Sequence, residues 1–194
     1  MKNETLKTFL LLGALAFALA ASAAPPPKKK APAAKRETFA SLRERYVKAF
    51  LSRFPVVATY LGASGLDRSL EPLDGKLRDY RPEALRGERA EWERTRAALS
   101  RTDRSPLAPE DRIDADVMDA QLAFLLSNLD RRLEERALDV FLEEPLRGTE
   151  WLLQGMTRTG ASTYGTPPEW ASLRARVEAI PPYLEVALVN LRRG

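Results

Sequence analysis

From Glu37 to Gly194 apolar residues recur at steps of three and four, and prolines punctuate the runs. Steps of three and four place side chains on one face of a helix. A proline fits the first helical turn, where its missing N–H would find no partner anyway. No segment alternates apolar and polar residues over a sustained stretch between hairpin turns, so the body is expected to be all-α, a bundle-like set of helices. A chain of 194 residues with 44% apolar side chains can bury enough surface to fold without disulfides.

The spacing predicts the following elements. Thr38 is a candidate N-cap for a helix carrying Phe39, Leu42, Tyr46 and Phe50 as one stripe. Pro55 interrupts it, and Val56, Val57, Tyr60 and Leu61 continue as a short helix that Gly62 can stop. Residues 62–81 hold Gly, Pro and Asp at close intervals and read as a long ordered loop. Pro82 and Glu83 open a helix in which Leu85, Trp92 and Leu99 mark one face, while Glu88, Arg89, Glu91, Glu93, Arg94 and Arg96 read as solvated. Pro109, Glu110 and Asp111 begin the longest helix, with acids at the positive end of its dipole. Its two apolar rows, Ile113, Val117, Ala120, Phe124 and Met118, Leu122, Leu125, Leu129, Leu133, predict burial against several neighbours. A turn is expected at Glu144, Pro145 and Gly148, followed by a short helix through Trp151, Leu152, Leu153 and Met156 and a second loop from Thr159 to Pro168. Thr166, Pro167 and Glu169 signal a helix running to Ala179, and Pro181 and Pro182 start the last one.

Residues 1–23 have the parts of a cleaved secretory signal: two lysines, an apolar run from Phe9 to Ala21, and the small residues Ala21, Ser22 and Ala23. As a helix that run rises only about 20 Å, short of the roughly 30 Å hydrocarbon core, so no transmembrane anchor is expected after cleavage. Without cysteine there is no lipoprotein anchor, and the mature protein is expected in the periplasm or secreted. Residues 24–36, rich in proline and basic side chains, read as a disordered linker. Of the formal +4, residues 1–23 contribute +1 and residues 28–36 contribute +5, which leaves −2 for residues 37–194. The body is therefore not basic, and nucleic acid is not an expected partner.

The chain contains neither His nor Cys. That excludes serine and cysteine triads of the usual kind, thiolate or imidazole zinc sites and the commonest general base. The remaining candidates are weak. Asp111, Asp114, Asp116 and Asp119 are the densest acids, but no glycine follows at a calcium-loop offset, and they read as acids in a first helical turn. Glu143 and Glu144 read as a solvated turn rather than an acid and base pair. Ser64 and Gly65 lie in a Gly-Ala-Ser-Gly turn without a nucleophile elbow. Trp92, Trp151 and Trp170 read as core or rim residues before stacking platforms. No catalytic, cofactor-binding or metal-ligating residue is assigned.

The last helix, with Tyr183, Leu184, Val186, Ala187, Leu188, Val189 and Leu191, has only Glu185 and Asn190 as polar positions. An apolar circumference predicts packing on all sides, and one reading makes this the central helix of a longer fold whose partners follow. In the other reading Arg192 and Arg193 simply complement the helix end of a finished module.

Phe54-Pro-Val-Val-Ala-Thr-Tyr-Leu-Gly62, Arg81-Pro-Glu-Ala-Leu85, Pro109-Glu-Asp-Arg-Ile-Asp-Ala-Asp116, Ile180-Pro-Pro-Tyr-Leu184 and Asn190-Leu-Arg-Arg-Gly194 together resemble the N-terminal region of the bacterial family called domain of unknown function 885. The resemblance spans roughly residues 40–194. It implies an exported, largely helical protein similar to zinc metallopeptidases, whose metal motif lies in a C-terminal half beyond this chain. On that reading the chain is a truncated N-terminal segment, one wall of a cleft for a peptide substrate. Zinc is implied only for full-length relatives, and no activity is expected from this chain alone. The alternative is a complete periplasmic helical binding module without enzymatic activity.

Overall fold

Helix α1 spans Phe39–Arg53 and starts where Thr38 predicts: Thr38 is extended and its hydroxyl accepts the Ser41 N–H. The computed structural model describes residues 37–159 and 163–194, so the expected signal peptide and linker lie outside the described residues. Residues 37–194 fold as one unit, and among the described residues no helix is long and apolar enough to cross a membrane.

Helix α1 packs with two long helices. Phe39, Leu42 and Tyr46 meet Trp92 and Leu99 from one and Ala115, Met118, Leu122 and Leu125 from the other. In chain order, α2 is Pro55–Tyr60, α3 is Ala63–Leu66, α4 is Pro82–Ser100 and α5 is Pro109–Arg131. The Tyr46 hydroxyl donates to Gln121 Oε1 at 2.6 Å, and burial pushes its phenol up to about 12.

Of residues 62–81, expected as one long ordered loop from their Gly, Pro and Asp content, only 76–81 and the single residues Gly62 and Asp67 lie outside regular structure. Gly62, at φ +64, turns the chain from α2 into α3, and a 3₁₀ segment follows at Arg68–Gly75. Three-residue periodicity eclipses Leu70 and Leu73, and both are buried with Leu51, Ala58 and Ala63. Asp67 caps the segment. The Ser69 hydroxyl and N–H, with Lys48, hold its carboxyl down to about 2.

Residues 76–81 run extended with no strand partner, so their backbone groups need side chains. Arg176 Nε donates to the Lys76 carbonyl, the Arg78 N–H donates to Glu144 Oε1, and Asn190 Nδ2 donates to the Tyr80 carbonyl. Arg78 itself lies 4.2 Å over the Phe54 ring and 4.8 Å over the Tyr80 ring, and pairs with Glu88 at 3.0 Å. Glu88 was expected on the solvated face of α4, yet it is only 2% exposed and also accepts the Trp92 Nε1–H. It stands three residues after Leu85 and four before Trp92, which puts it on the buried stripe.

Helix α6, Asp139–Gly155, runs straight through the turn expected at Glu144, Pro145 and Gly148. Phe141, Pro145, Gly148 and Leu152 share one stripe of this helix. Burial of Phe141, Gly148 and Leu152 holds it together across the N–H that Pro145 lacks. Arg158–Thr159 and Thr163–Tyr164 then form a two-residue antiparallel ribbon, β1 and β2, inside the expected second loop. Helix α7, Pro167–Glu178, begins at the predicted Thr166, Pro167 and Glu169 signal, where Thr166 and Glu169 form a capping box, and α8 spans Ile180–Leu191. The all-α expectation holds, the ribbon being its one local exception among the described residues.

Two burial expectations are corrected. On α5 the row of Met118, Leu122 and Leu125 is buried, but Ile113, Val117 and Phe124 are about 60% exposed, because α1 and α4 cover one side only. Leu133, assigned to that buried row, falls beyond α5 in a short 3₁₀ turn, Leu133–Glu135. On α8 Tyr183, Ala187 and Asn190 are buried, with Tyr183 and Ala187 against Tyr80 and Phe141, while Leu188 and Val189 stay exposed.

Candidate functional site

A cleft of about 540 Å³ lies between α2, α3 and the 3₁₀ segment Arg68–Gly75 on one side and α6 and α7 on the other. Its shape depends on a guanidinium beneath it. Arg176 of α7 is fully buried. Its Nη1 donates to the Gly148 carbonyl at 2.7 Å, its Nη2 to the Leu73 carbonyl and to Thr59 Oγ1, and its Nε to the Lys76 carbonyl. One side chain thus fastens α2, the 3₁₀ segment and α6 to α7. Burial pulls this guanidinium below its ordinary value, and the charges of Asp74 and Glu144 oppose the shift.

The close approach requires Gly148. A Cβ there would meet Val56 Cγ2 at 2.8 Å and Arg176 Cδ at 3.2 Å. Thr59 carries the guanidinium's orientation into the cleft: its hydroxyl accepts from Arg176 at 2.7 Å and donates to Asp74 Oδ1 at 2.8 Å. At the lip, Tyr60 is 63% exposed and its ring centroid lies 4.6 Å from that of Trp151. On the α7 side, burial would raise the Glu169 carboxyl, but the N–H groups of Thr166 and Thr157 and the hydroxyls of both residues outweigh it and hold it low.

The residues singled out from sequence distribute unevenly around this cleft. Ser64 and Gly65 line it, as does Trp151. Trp92 is in the core and Trp170 is partly exposed outside the cleft lining, its Nε1–H donating to the Tyr164 carbonyl. Asp111 and Asp114 both bind Arg43 at 2.6 Å, Asp116 binds Arg104 and Asp119 binds Arg96, so each acid of that series faces an arginine. Glu143 is exposed and pairs with Arg147, whereas Glu144 turns inward from the same helix to the Arg78 N–H. The pair diverges from a helix, not from the solvated turn expected. Burial raises the Glu144 carboxyl, and the Arg78 N–H with the charges of Arg78 and Arg176 offsets part of the rise.

Sequence reasoning missed Arg176, Thr59 and Asp74. A signal for Arg176 existed: it falls three residues after the buried Leu173 on α7, a charged residue on an apolar stripe. Nothing local joins Thr59 to Asp74 across fifteen positions.

Chemically the cleft offers aromatic faces, hydroxyls and carboxylates. Ser64 has no imidazole to activate it, since the chain has no histidine. The zinc implied by resemblance finds no fitting ligand set: His and Cys are absent from the sequence, and among the described residues no three carboxylates converge.

A family described as bacterial protein of unknown function (DUF885) matches residues 55–194. The chain belongs to that family. The match takes in every element from α2 to α8, and so the whole DUF885 cleft and its Arg176 support. No curated protein and no solved structure gives a significant match.

Proposed function

We propose that this DUF885 protein is exported, and that its helical body serves as a binding wall for peptide substrate in a metallopeptidase-like protein, without carrying a chemical step itself. The preformed cleft between α2 and α6 is the observation that supports this reading most, because its lip and walls are held by Arg176 and the Thr166–Glu169 cap before any ligand arrives. Export rests on the lysines, apolar run and small residues of positions 1–23. The metallopeptidase-like character rests on the ordered motifs that resemble the family's N-terminal region.

The test uses the full chain. Fluorescent unstructured peptides, followed by anisotropy and by mass spectrometry with and without zinc, should bind and remain intact. Zinc-dependent cleavage would refute catalytic silence, and absence of any binding would refute the cleft reading. Expression in a bacterium followed by fractionation should yield a periplasmic or secreted product lacking residues 1–23.

A stand-alone helical binding module is the second reading, favoured by the well-filled core around Trp92. It requires a compact, cooperatively unfolding monomer. Dye binding and self-association through Leu184, Leu188 and Leu191 would favour a segment of a larger helical fold.

A further inference from the structure

We infer that the α2–α6 cleft receives a cationic side chain of its peptide, a lysine or arginine laid across Tyr60 and Trp151 with its charge directed to Asp74 and Glu71. The inference rests on the peptide-cleft reading and adds the chemistry of the bound side chain.

The first observation is the aromatic lip. Tyr60 ends a six-residue helix and is among the most exposed large side chains described, yet it stacks on Trp151 from the opposite wall at 4.6 Å and 41°. A tyrosine and tryptophan held together at the mouth of a cavity present ring faces that attract a cation carried on an apolar stem.

The second observation is the charge inside. Asp74, Glu71 and Glu169 line the cleft with one guanidinium, Arg68. Glu169 is committed to Thr157 and Thr166. Asp74 and Glu71 form no ion pair with any described residue, unlike Asp111, Asp114, Asp116 and Asp119 of α5, each of which has its arginine.

The third observation is orientation. Arg176 Nη2 donates to Thr59 Oγ1, and the threonine hydroxyl lies 2.8 Å from Asp74 Oδ1 and 3.2 Å from the Pro55 carbonyl, so its shorter bond is to the carboxylate and a part-buried relay orients it. Oδ2 is left to accept from a ligand. A neutral or acidic side chain would leave Glu71 without an ion-pair partner and Asp74 with only the Arg176 charge behind Thr59, whereas an ammonium or guanidinium would meet carboxylates and rings together.

The experiment titrates the full chain at low salt with three end-blocked pentapeptides, alanines around a central lysine, acetyl-lysine or norleucine, read by calorimetry. The lysine peptide should bind about tenfold more tightly than either neutral one, and the margin should shrink as salt rises. Tyr60→Leu and Glu71→Gln alter exposed side chains outside the core, so melting curves should be unchanged while each reduces the lysine preference several-fold. Equal affinity for all three peptides would overturn the cationic inference and leave the peptide cleft standing. No binding by any peptide would overturn both. A lysine preference undiminished in both variants would overturn the placement in this cleft.

Discussion

Around Trp92, helices α1, α4 and α5 are joined by apolar side chains at helical spacing, with Leu42, Leu99 and Leu122 almost wholly buried between them. Around Arg176, helices α2, α6 and α7 are joined by a single guanidinium that donates to three backbone carbonyls and a threonine hydroxyl. The first arrangement tolerates exchange of one aliphatic for another, because burial has no direction. The second does not, because each donor meets one acceptor at one distance. The cleft belongs to the second region, so its geometry depends on directed bonds, and the Trp92 core serves as the platform behind it.

Trp92→Ala should have the largest effect, about 3–5 kcal/mol in urea unfolding, since it empties the centre of the core and frees Glu88 from its indole partner. Arg176→Met keeps most of the volume and removes the donors. It should cost about 3 kcal/mol by leaving buried carbonyls unpaired, and it should weaken peptide binding, which Trp92→Phe should not. If Arg176→Met proves as mild as an aliphatic exchange in the core, the contrast between the two regions fails.

Gly148→Ala sharpens the contrast, because the added methyl enters the α2–α6 contact against Val56 and Arg176. A loss of about 1–3 kcal/mol is expected, read as a lowered urea midpoint with an unchanged slope. Glu144→Gln tests the polar region by pH. The folded carboxyl has a raised pKa, so the folded state binds more protons than the unfolded one between the ordinary glutamate value and the raised one. Stability from this group therefore falls as pH rises through that window. The glutamine variant should be more stable than the parent near pH 7, by about 1 kcal/mol or less, and the advantage should vanish below the ordinary glutamate value. Phe124→Ser on the exposed row of α5 should change stability by no more than about 0.5 kcal/mol, and a larger loss in a melt would mean that this row is covered in solution.

Much of the fold was legible because its signals are local. Thr38, Pro55, Pro82, Pro109 and the Thr166–Glu169 box mark helix starts, since caps and first-turn prolines act within a few residues of chain. The failures share a cause. Pro145 was read as a breaker, but Phe141, Gly148 and Leu152 on its own stripe hold the helix through it. Within residues 62–81 the order of 76–81 was hidden, because the groups that satisfy their backbone are Glu144, Arg176 and Asn190, 66 to 110 positions from their partners. Of the cleft, Ser64 and Trp151 had drawn notice as residues, without any indication that they share a wall.

The amino-acid sequence by itself determined that this is a helical protein, where most helices begin, which catalytic chemistries lack their residues, and which family pattern the body follows. Those properties depend on residue identity and on spacings within one or two helical turns. Tertiary structure decided which of two apolar rows on α5 is covered, why Glu88 is inside, and how Thr59, Asp74 and Arg176 come together under an aromatic lip. Those properties depend on directional bonds between residues far apart in the chain, and only the packed helices bring their partners within reach.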